Sequence, residues 1–202
     1  MMHFTSDHHA GHTNILHLGD GRDFKSISHM HAEIINRHNS VVGFDDDVYF
    51  LGDIAMGTLE DSLKIFSGMM GNKFLIPGNH EKIFSGTNSK TRIQTYTPVY
   101  EDAGFTVLPE NTSVVIDGQE VLLSHFPYSE KLFNKTQTDK FTKNRPVDTG
   151  LPLIHGHTHQ RHQHQDDRKR MFHVGMDSTN FTPVSEVEIV DWLNRLRTNK
   201  IL

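Results

Sequence analysis

Cysteine is absent from all 202 residues, which excludes disulfides, thiolate metal sites and a cysteine nucleophile. The absence fits a reducing compartment. An excess of positive charge is missing too: 20 Lys and Arg stand against 25 Asp and Glu, a formal net charge of -5. This balance excludes a strongly basic coat for nucleic acid, and the imbalance is too small to keep the chain unfolded. There is no unbroken apolar run of about 18 residues, so no membrane-spanning helix is predicted. The opening Met1–His12 lacks the apolar core of a signal peptide, and we expect a cytoplasmic protein. Apolar residues make up 35% of the chain, enough for a core but not a rich one. The length suits one domain spanning 1–202. Histidine, by contrast, is abundant at 16 residues, and its placement matters more than its number.

Short apolar runs recur, each ending in a polar cluster. Met2–Thr5 leads into Ser6-Asp7-His8-His9, and Val48–Leu51 into Gly52-Asp53. Phe74–Ile76 leads into Pro77-Gly78-Asn79-His80, Val121–Leu123 into Ser124-His125, and Leu151–Ile154 into His155-Gly156-His157-Thr158-His159. Runs this short and apolar predict buried strands. Helical spacing lies between some of them. Ile27, Met30, Ile34, Ile35 and His38 mark a helix around 28–39, and Leu59, Leu63 and Phe66 mark another around 58–68. The first half therefore predicts a βαβαβ order with parallel strands. In the second half, Val114–Ile116, the Asp117-Gly118 turn and Val121–Leu123 predict a hairpin. Met171–Val174 predicts a further strand, and Val187–Leu196 a closing amphipathic helix. The stretch 126–150 is long and polar with no clear period, as functional loops often are. The predicted architecture is a mixed-sheet α/β sandwich.

Each polar cluster falls at the C-terminal end of a predicted strand, the edge where open α/β folds bind ligands. A plainer reading treats these Asp and Asn residues as turn formers, and it suffices for any one of them. It fits poorly with five clusters, each following an apolar run. Together the clusters offer oxygen and nitrogen donors without sulfur, a set suited to borderline divalent ions such as Mn, Fe, Zn, Co or Ni. One ion would not need so many donors. Two ions sharing a bridging carboxylate would.

Asp7-x-His9, Gly52-Asp53, Gly78-Asn79-His80, His125 and Gly156-His157-x-His159 resemble the signature of the calcineurin-like metallophosphoesterase superfamily. Arg22-Asp23-Phe24, Asn39-Ser40-Val41-Val42 and Val174-Gly175-Met176-Asp177 also look like segments of its small bacterial and phage members. The resemblance implies a sandwich of two mixed sheets flanked by helices and a centre of two metal ions, Mn first among them. Asp7, His9 and His159 would hold one ion. Asn79, His125 and His157 would hold the other, with Asp53 bridging both. A metal-bridging hydroxide would attack phosphorus, and His80 would protonate the leaving oxygen. Glu81 is in place to orient the His80 ring.

Related protein phosphatases carry an arginine after the second motif, where this chain has Ile54-Ala55-Met56-Gly57. Arg22 and His12 are the candidate substitutes for gripping substrate, with a surface salt bridge an equally good reading of Arg22. A phosphodiester of nucleotide-like kind is therefore the expected substrate. A phosphomonoester is the alternative, and a non-catalytic scaffold of the same fold is another. No dedicated nucleic-acid-binding domain is expected. His8 should point away from the site. His17, His29, His31 and His38 should cap the first helix or face solvent, while His162 and His164 could extend the site. Lys131, Lys135, Lys140, Lys143 and Arg145 would form an anion-attracting rim over the metals.

Overall fold

The computed structural model describes residues 1–17, 22–129, 141–161 and 165–202. Its first half runs β1 (Met2–Thr5), α1 (Ile27–Asn39), β2 (Asp47–Phe50), α2 (Leu59–Leu63), β3 (Asn72–Leu75), α3 (Lys90–Asp102) and β4 (Phe105–Val107). The second half runs β5 (Asn111–Ile116), β6 (Gln119–Ser124), β7 (Leu153–His155), β8 (Gln165–Asp166), β9 (Met171–His173), β10 (Val184–Ser185) and α4 (Glu186–Thr198). One sheet has the order β10-β1-β2-β3-β4 and the other β5-β6-β7-β9-β8. Both are mixed. β1 to β4 are parallel, with β10 antiparallel at the edge. β6, β7 and β9 are parallel, with antiparallel β5 and β8 outside them. This is the predicted α/β sandwich of two mixed sheets flanked by helices.

The expected helices are present. Ser26 caps α1 by accepting the His29 N–H, and Met30, Ile34 and His38 form its buried face. Ser185 and Glu188 form a reciprocal capping box at the start of α4, which satisfies N–H groups that the first turn leaves open. The second predicted helix is shorter than its pattern suggested: α2 ends at Leu63 and passes into a 3-10 turn over Lys64–Gly68.

Apolar side chains gather in two bodies. Phe4, Leu51 and Ile76 meet Leu123, Ile154 and Phe172 between the sheets, and Trp192, Leu193 and Leu196 of α4 join them. Met30, Ile34, Phe50, Phe66, Leu75 and Tyr100 fill the other side of the first sheet beneath α1 to α3. The ends of β1 to β3 that lead toward the polar clusters are buried between these two bodies, which accounts for the apolar residues there. A parallel bridge between Ser6 and Gly175 ties the sheets together just beyond β1 and β9. The C-terminal ends of β1, β2, β3, β6 and β7 consequently open toward one edge of the sandwich. No helix among the described residues is long and apolar enough to cross a membrane.

Candidate metal centre

The backbone leaves each of these strands sharply. Asp7, His9, Asp53, His157 and His159 have φ of 61°, 51°, 53°, 72° and 49°. The left-handed region costs a non-glycine residue roughly 1–2 kcal/mol, so the surrounding contacts must hold these five in place. Backbone bonds supply part of this: Asp7 N–H donates to Gly52 O and His9 N–H to Asp53 O, each at 3.0 Å. The approach of the loops needs glycine. A Cβ on Gly52, whose φ is 82°, would lie 2.5 Å from Gly78 N, and one on Gly156 would collide with Ser6 Oγ and lie 2.7 Å from Asp7 Oδ2.

The side chains fall into two groups. The donor atoms of Asp7, His9 and His159 lie within 4.8 Å of one another, and so do those of Asp53, His125 and His157. In the first group, His9 Nε2 faces His159 Nε2 at 3.1 Å, and His159 Nε2 is 3.7 Å from Asp7 Oδ1. In the second, His125 Nε2 is 3.2 Å from His157 Nδ1 and 3.1 Å from Asn79 Oδ1. Asp53 Oδ2 lies between the groups, 3.5 Å from His125 Nε2 and 3.9 Å from His9 Nε2. The His125 ring is oriented through Nδ1, which donates to Leu51 O at 2.7 Å.

These donors fit divalent cations. Asp7 is fully buried, yet its Oδ1 has no hydrogen-bond partner, an arrangement that is costly without a cation. Imidazole nitrogens face each other in both groups. Burial pushes the Asp7 carboxyl above its ordinary range. Burial works the same way on Asp53, but His125 outweighs it, with His9 and His80 adding to the effect, and holds that carboxyl well below the usual range. Burial opposes charge on His125, yet Asp53 and Asp7 push its imidazole up to about 9. The local field favours positive charge at this position.

His80 lies at the mouth of the centre with its side chain 42% exposed, Nε2 3.8 Å from Asp53 Oδ2. Its ring sits 5.4 Å from that of His9. His12 is partly exposed beside them, its ring 5.8 Å from His9. Glu81 does not orient His80. Its buried carboxylate accepts N–H groups from Asp53 at 2.7 Å, Ile54 at 2.9 Å and Gly78 at 2.7 Å, and so ties the second and third motif loops together.

Arg22 also departs from the sequence expectation. It is 3% exposed, and Asp177 holds Nε and Nη2 at 2.9 and 3.0 Å. Nη2 also donates to Asp7 O at 2.6 Å and Nη1 to His8 O at 2.9 Å. The remaining N–H faces Met30 Sδ at 3.9 Å. A guanidinium so enclosed has no free donor for a phosphate.

Among the other histidines, His8 faces the core, its ring packed against Phe50 and Phe66. His38 does not face solvent as expected. It is fully buried, and Nε2 donates to Met70 O at 2.9 Å. His162, His164, Lys131, Lys135 and Lys140 lie outside the described residues. Lys143 is exposed in a 3-10 turn over Thr142–Asn144.

Two contacts at the centre had no role assigned from the sequence. Met56 Sδ lies 3.2 Å from His9 Nδ1, and Asp177 Oδ2 lies 2.7 Å from His159 Nδ1. Burial works against charge on Asp177, but His159 and Arg22 outweigh it and hold the carboxyl well below its usual range. Asp177 follows the apolar stretch at 171–174 in the same way that Asp7 and Asp53 follow theirs, and that placement was its signal.

No protein-family model matches the chain. The Gene 66 protein of Mycobacterium phage L5 is 33% identical over 218 aligned positions, covering 96% of this chain and 94% of that protein. Among solved structures, the protein of unknown function AQ665 from Aquifex aeolicus shares the fold at a TM-score of 0.66 and 23% identity, covering 95% of this chain and 98% of that one. A novel archaeal phosphodiesterase is similar at a TM-score of 0.41 and 16% identity, covering 86% and 81%.

Proposed function

The chain belongs to the family of the Gene 66 protein of Mycobacterium phage L5, and from the site it carries we propose a metal-dependent phosphoesterase that hydrolyses a nucleotide-like phosphodiester. Residues 1–202 would make one such domain. The observation that carries the reading is the position of Asp53 Oδ2 between two groups of donors, 3.9 Å from His9 Nε2 and 3.5 Å from His125 Nε2.

In this reading Asp7, His9 and His159 would hold one divalent ion and Asn79, His125 and His157 a second, with Asp53 shared between them. Mn is the first choice, with Fe, Zn, Co or Ni also suited to the donors. Two such ions supply Lewis acidity toward phosphoryl oxygens and lower the pKa of water enough for attack at neutral pH. The chain's own residues do the rest. Asp53 Oδ1 accepts the His80 backbone N–H at 2.9 Å, which keeps the imidazole over the centre. From there His80 would donate a proton to the departing oxygen. The oxygen of a water forms a new bond to phosphorus as the P–O bond to the leaving group breaks, and the water's proton goes to solvent, from which His80 regains the one it gave; the products are a phosphomonoester and an alcohol. His12, partly exposed beside it, would contact the substrate. Arg22 is withdrawn from that role.

The test pairs uptake with turnover. Chelator-treated protein is titrated with Mn and then assayed on an aryl phosphodiester. Uptake of two ions per chain together with Mn-dependent hydrolysis is expected. A protein that binds Mn but hydrolyses neither diester nor monoester would be a scaffold, and one that binds no divalent ion would overturn the metal centre itself.

A further inference from the structure

The proposed donors do not stand alone on the first side of the centre. Behind His159 lies a buried carboxylate, and behind that a buried guanidinium. Asp177 is bonded to Arg22 through both its oxygens, at 2.9 and 3.0 Å. The same Oδ2 that meets Arg22 Nη2 also lies 2.7 Å from His159 Nδ1. An ion pair serving stability alone would be complete without the histidine. Arg22 in turn extends to the carbonyls of Asp7 and His8, within the left-handed turn that presents Asp7 and His9. One pair thus reaches the loop after β1 and the loop after β7, bonding Asp7 and His159 of the first donor group and the carbonyl of His8 between Asp7 and His9.

We propose that Asp177, held by Arg22, is the positioning residue that sets metal affinity in the Asp7–His9–His159 group while leaving the Asp53–His125–His157 group alone. This rests on the metal-centre reading above. A carboxylate accepting from Nδ1 fixes the proton on that nitrogen, so the lone pair of Nε2 is directed at the centre. His159 Nε2 indeed faces His9 Nε2 at 3.1 Å. The carboxylate also makes the ring a stronger donor, and the bond locks its rotation. Arg22 keeps Asp177 aimed, and its bonds to the Asp7 and His8 carbonyls hold the facing loop in register. The second group orients His125 differently, with Nδ1 donating to the neutral Leu51 carbonyl at 2.7 Å. The two groups should therefore differ in affinity, and they should respond separately to mutation.

The experiment compares wild type, Asp177→Asn, Asp177→Glu and Arg22→Lys, each stripped of metal and titrated calorimetrically with Mn. Wild type should show two binding events. Asp177→Asn should weaken one of them about 10–100-fold, the usual scale for losing such a partner, and leave the other within about threefold. Asp177→Glu should recover part of the loss, and Arg22→Lys should weaken the same event. Proton–nitrogen correlation spectra of the metal-free protein supply a second readout, with His159 protonated on Nδ1 in wild type and losing that preference in Asp177→Asn. Unchanged affinities, or equal weakening of both events, would overturn the positioning role. Absence of any Mn binding by wild type would instead overturn the metal centre, a separate failure.

Discussion

Asp53 meets His80 with both ends of its carboxylate: Oδ1 accepts the His80 backbone N–H at 2.9 Å, and Oδ2 lies 3.8 Å from the ring Nε2. The residue proposed to touch both ions therefore also fixes the proposed proton donor. Asp53→Asn should lower Mn occupancy in both groups and abolish turnover. It should also remove most of the rise in melting temperature that Mn gives the wild type, because only a bound ion stabilises the native state. Metal analysis alongside thermal melts checks this. A variant retaining two ions and most activity would exclude Asp53 as the shared carboxylate.

His80 borders the centre but belongs to neither group of donors, so its removal should spare metal. His80→Ala should cut kcat by about 10²–10⁴-fold with metal content near that of wild type. The loss should shrink for a nitrophenyl ester, whose leaving group needs little protonation. Comparing nitrophenyl with alkyl esters reads this directly. An equal loss on both would mean that His80 stabilises charge without moving a proton.

Glu81 accepts three backbone N–H groups from two different loops. In Glu81→Gln one of those N–H groups would face an amide NH2 instead of an oxygen. A buried donor left without an acceptor costs about 1–3 kcal/mol. Urea unfolding in chelator should show a loss of that size, and metal affinity should fall with it because the loops presenting Asp53 and Asn79 would loosen. Unaltered stability would mean that the loops hold together without Glu81.

His38 supplies a pH dependence remote from the metal donors. Burial pulls its imidazole down from 6.5 to about 4. Between those values the unfolded chain binds a proton that the folded chain refuses, so stability falls as pH drops through this window. The full shift corresponds to about 3 kcal/mol. Urea midpoints measured in chelator between neutral and acidic pH should decline less steeply for His38→Gln than for wild type. Parallel slopes would show that His38 takes up no proton in that range.

Much of this architecture could be read from the chain because β1, β2, β3, β6 and β7 are short strands that carry buried apolar residues toward their C-terminal ends and lead into polar clusters. Helix α3 could not. Its segment 90–102 carries Pro98, and Tyr100 is its one fully buried side chain, so it lacks the apolar stripe that α1 displays. Strand β10 has two residues, too few for any period. At the centre, the donors announce themselves through glycine-flanked Asp, Asn and His at strand ends. The surroundings do not. Arg22 meets a partner 155 positions away, and Glu81 bonds backbone groups that have no signature in sequence. His38 follows the spacing of a buried helical face, and that spacing predicted its position better than its polarity did.

The choice of ester follows from where the cations are. A monoester dianion exposes three terminal oxygens, and the third needs a positive partner beyond the ions. Ile54-Ala55-Met56 after Asp53 offer no cation, and Arg22 is closed off by Asp177 and the carbonyls of Asp7 and His8. Among the described residues, His80 and His12 stand on the rim. A diester carries one negative charge less and asks only for protonation of the leaving oxygen, which a single imidazole can supply. We therefore expect kcat/KM for an aryl phosphodiester to exceed that for the matching aryl monoester at equal Mn concentration and pH. Arg22→Lys should leave this ratio unchanged, since Arg22 does not meet the substrate, even where it weakens metal binding. His12→Ala should raise KM more than it lowers kcat, as expected for a contact made equally to substrate and transition state. A clear monoester preference would sink the argument and point to a cation not yet assigned. Exposed Arg161, two residues beyond His159, would then be the first to replace with alanine.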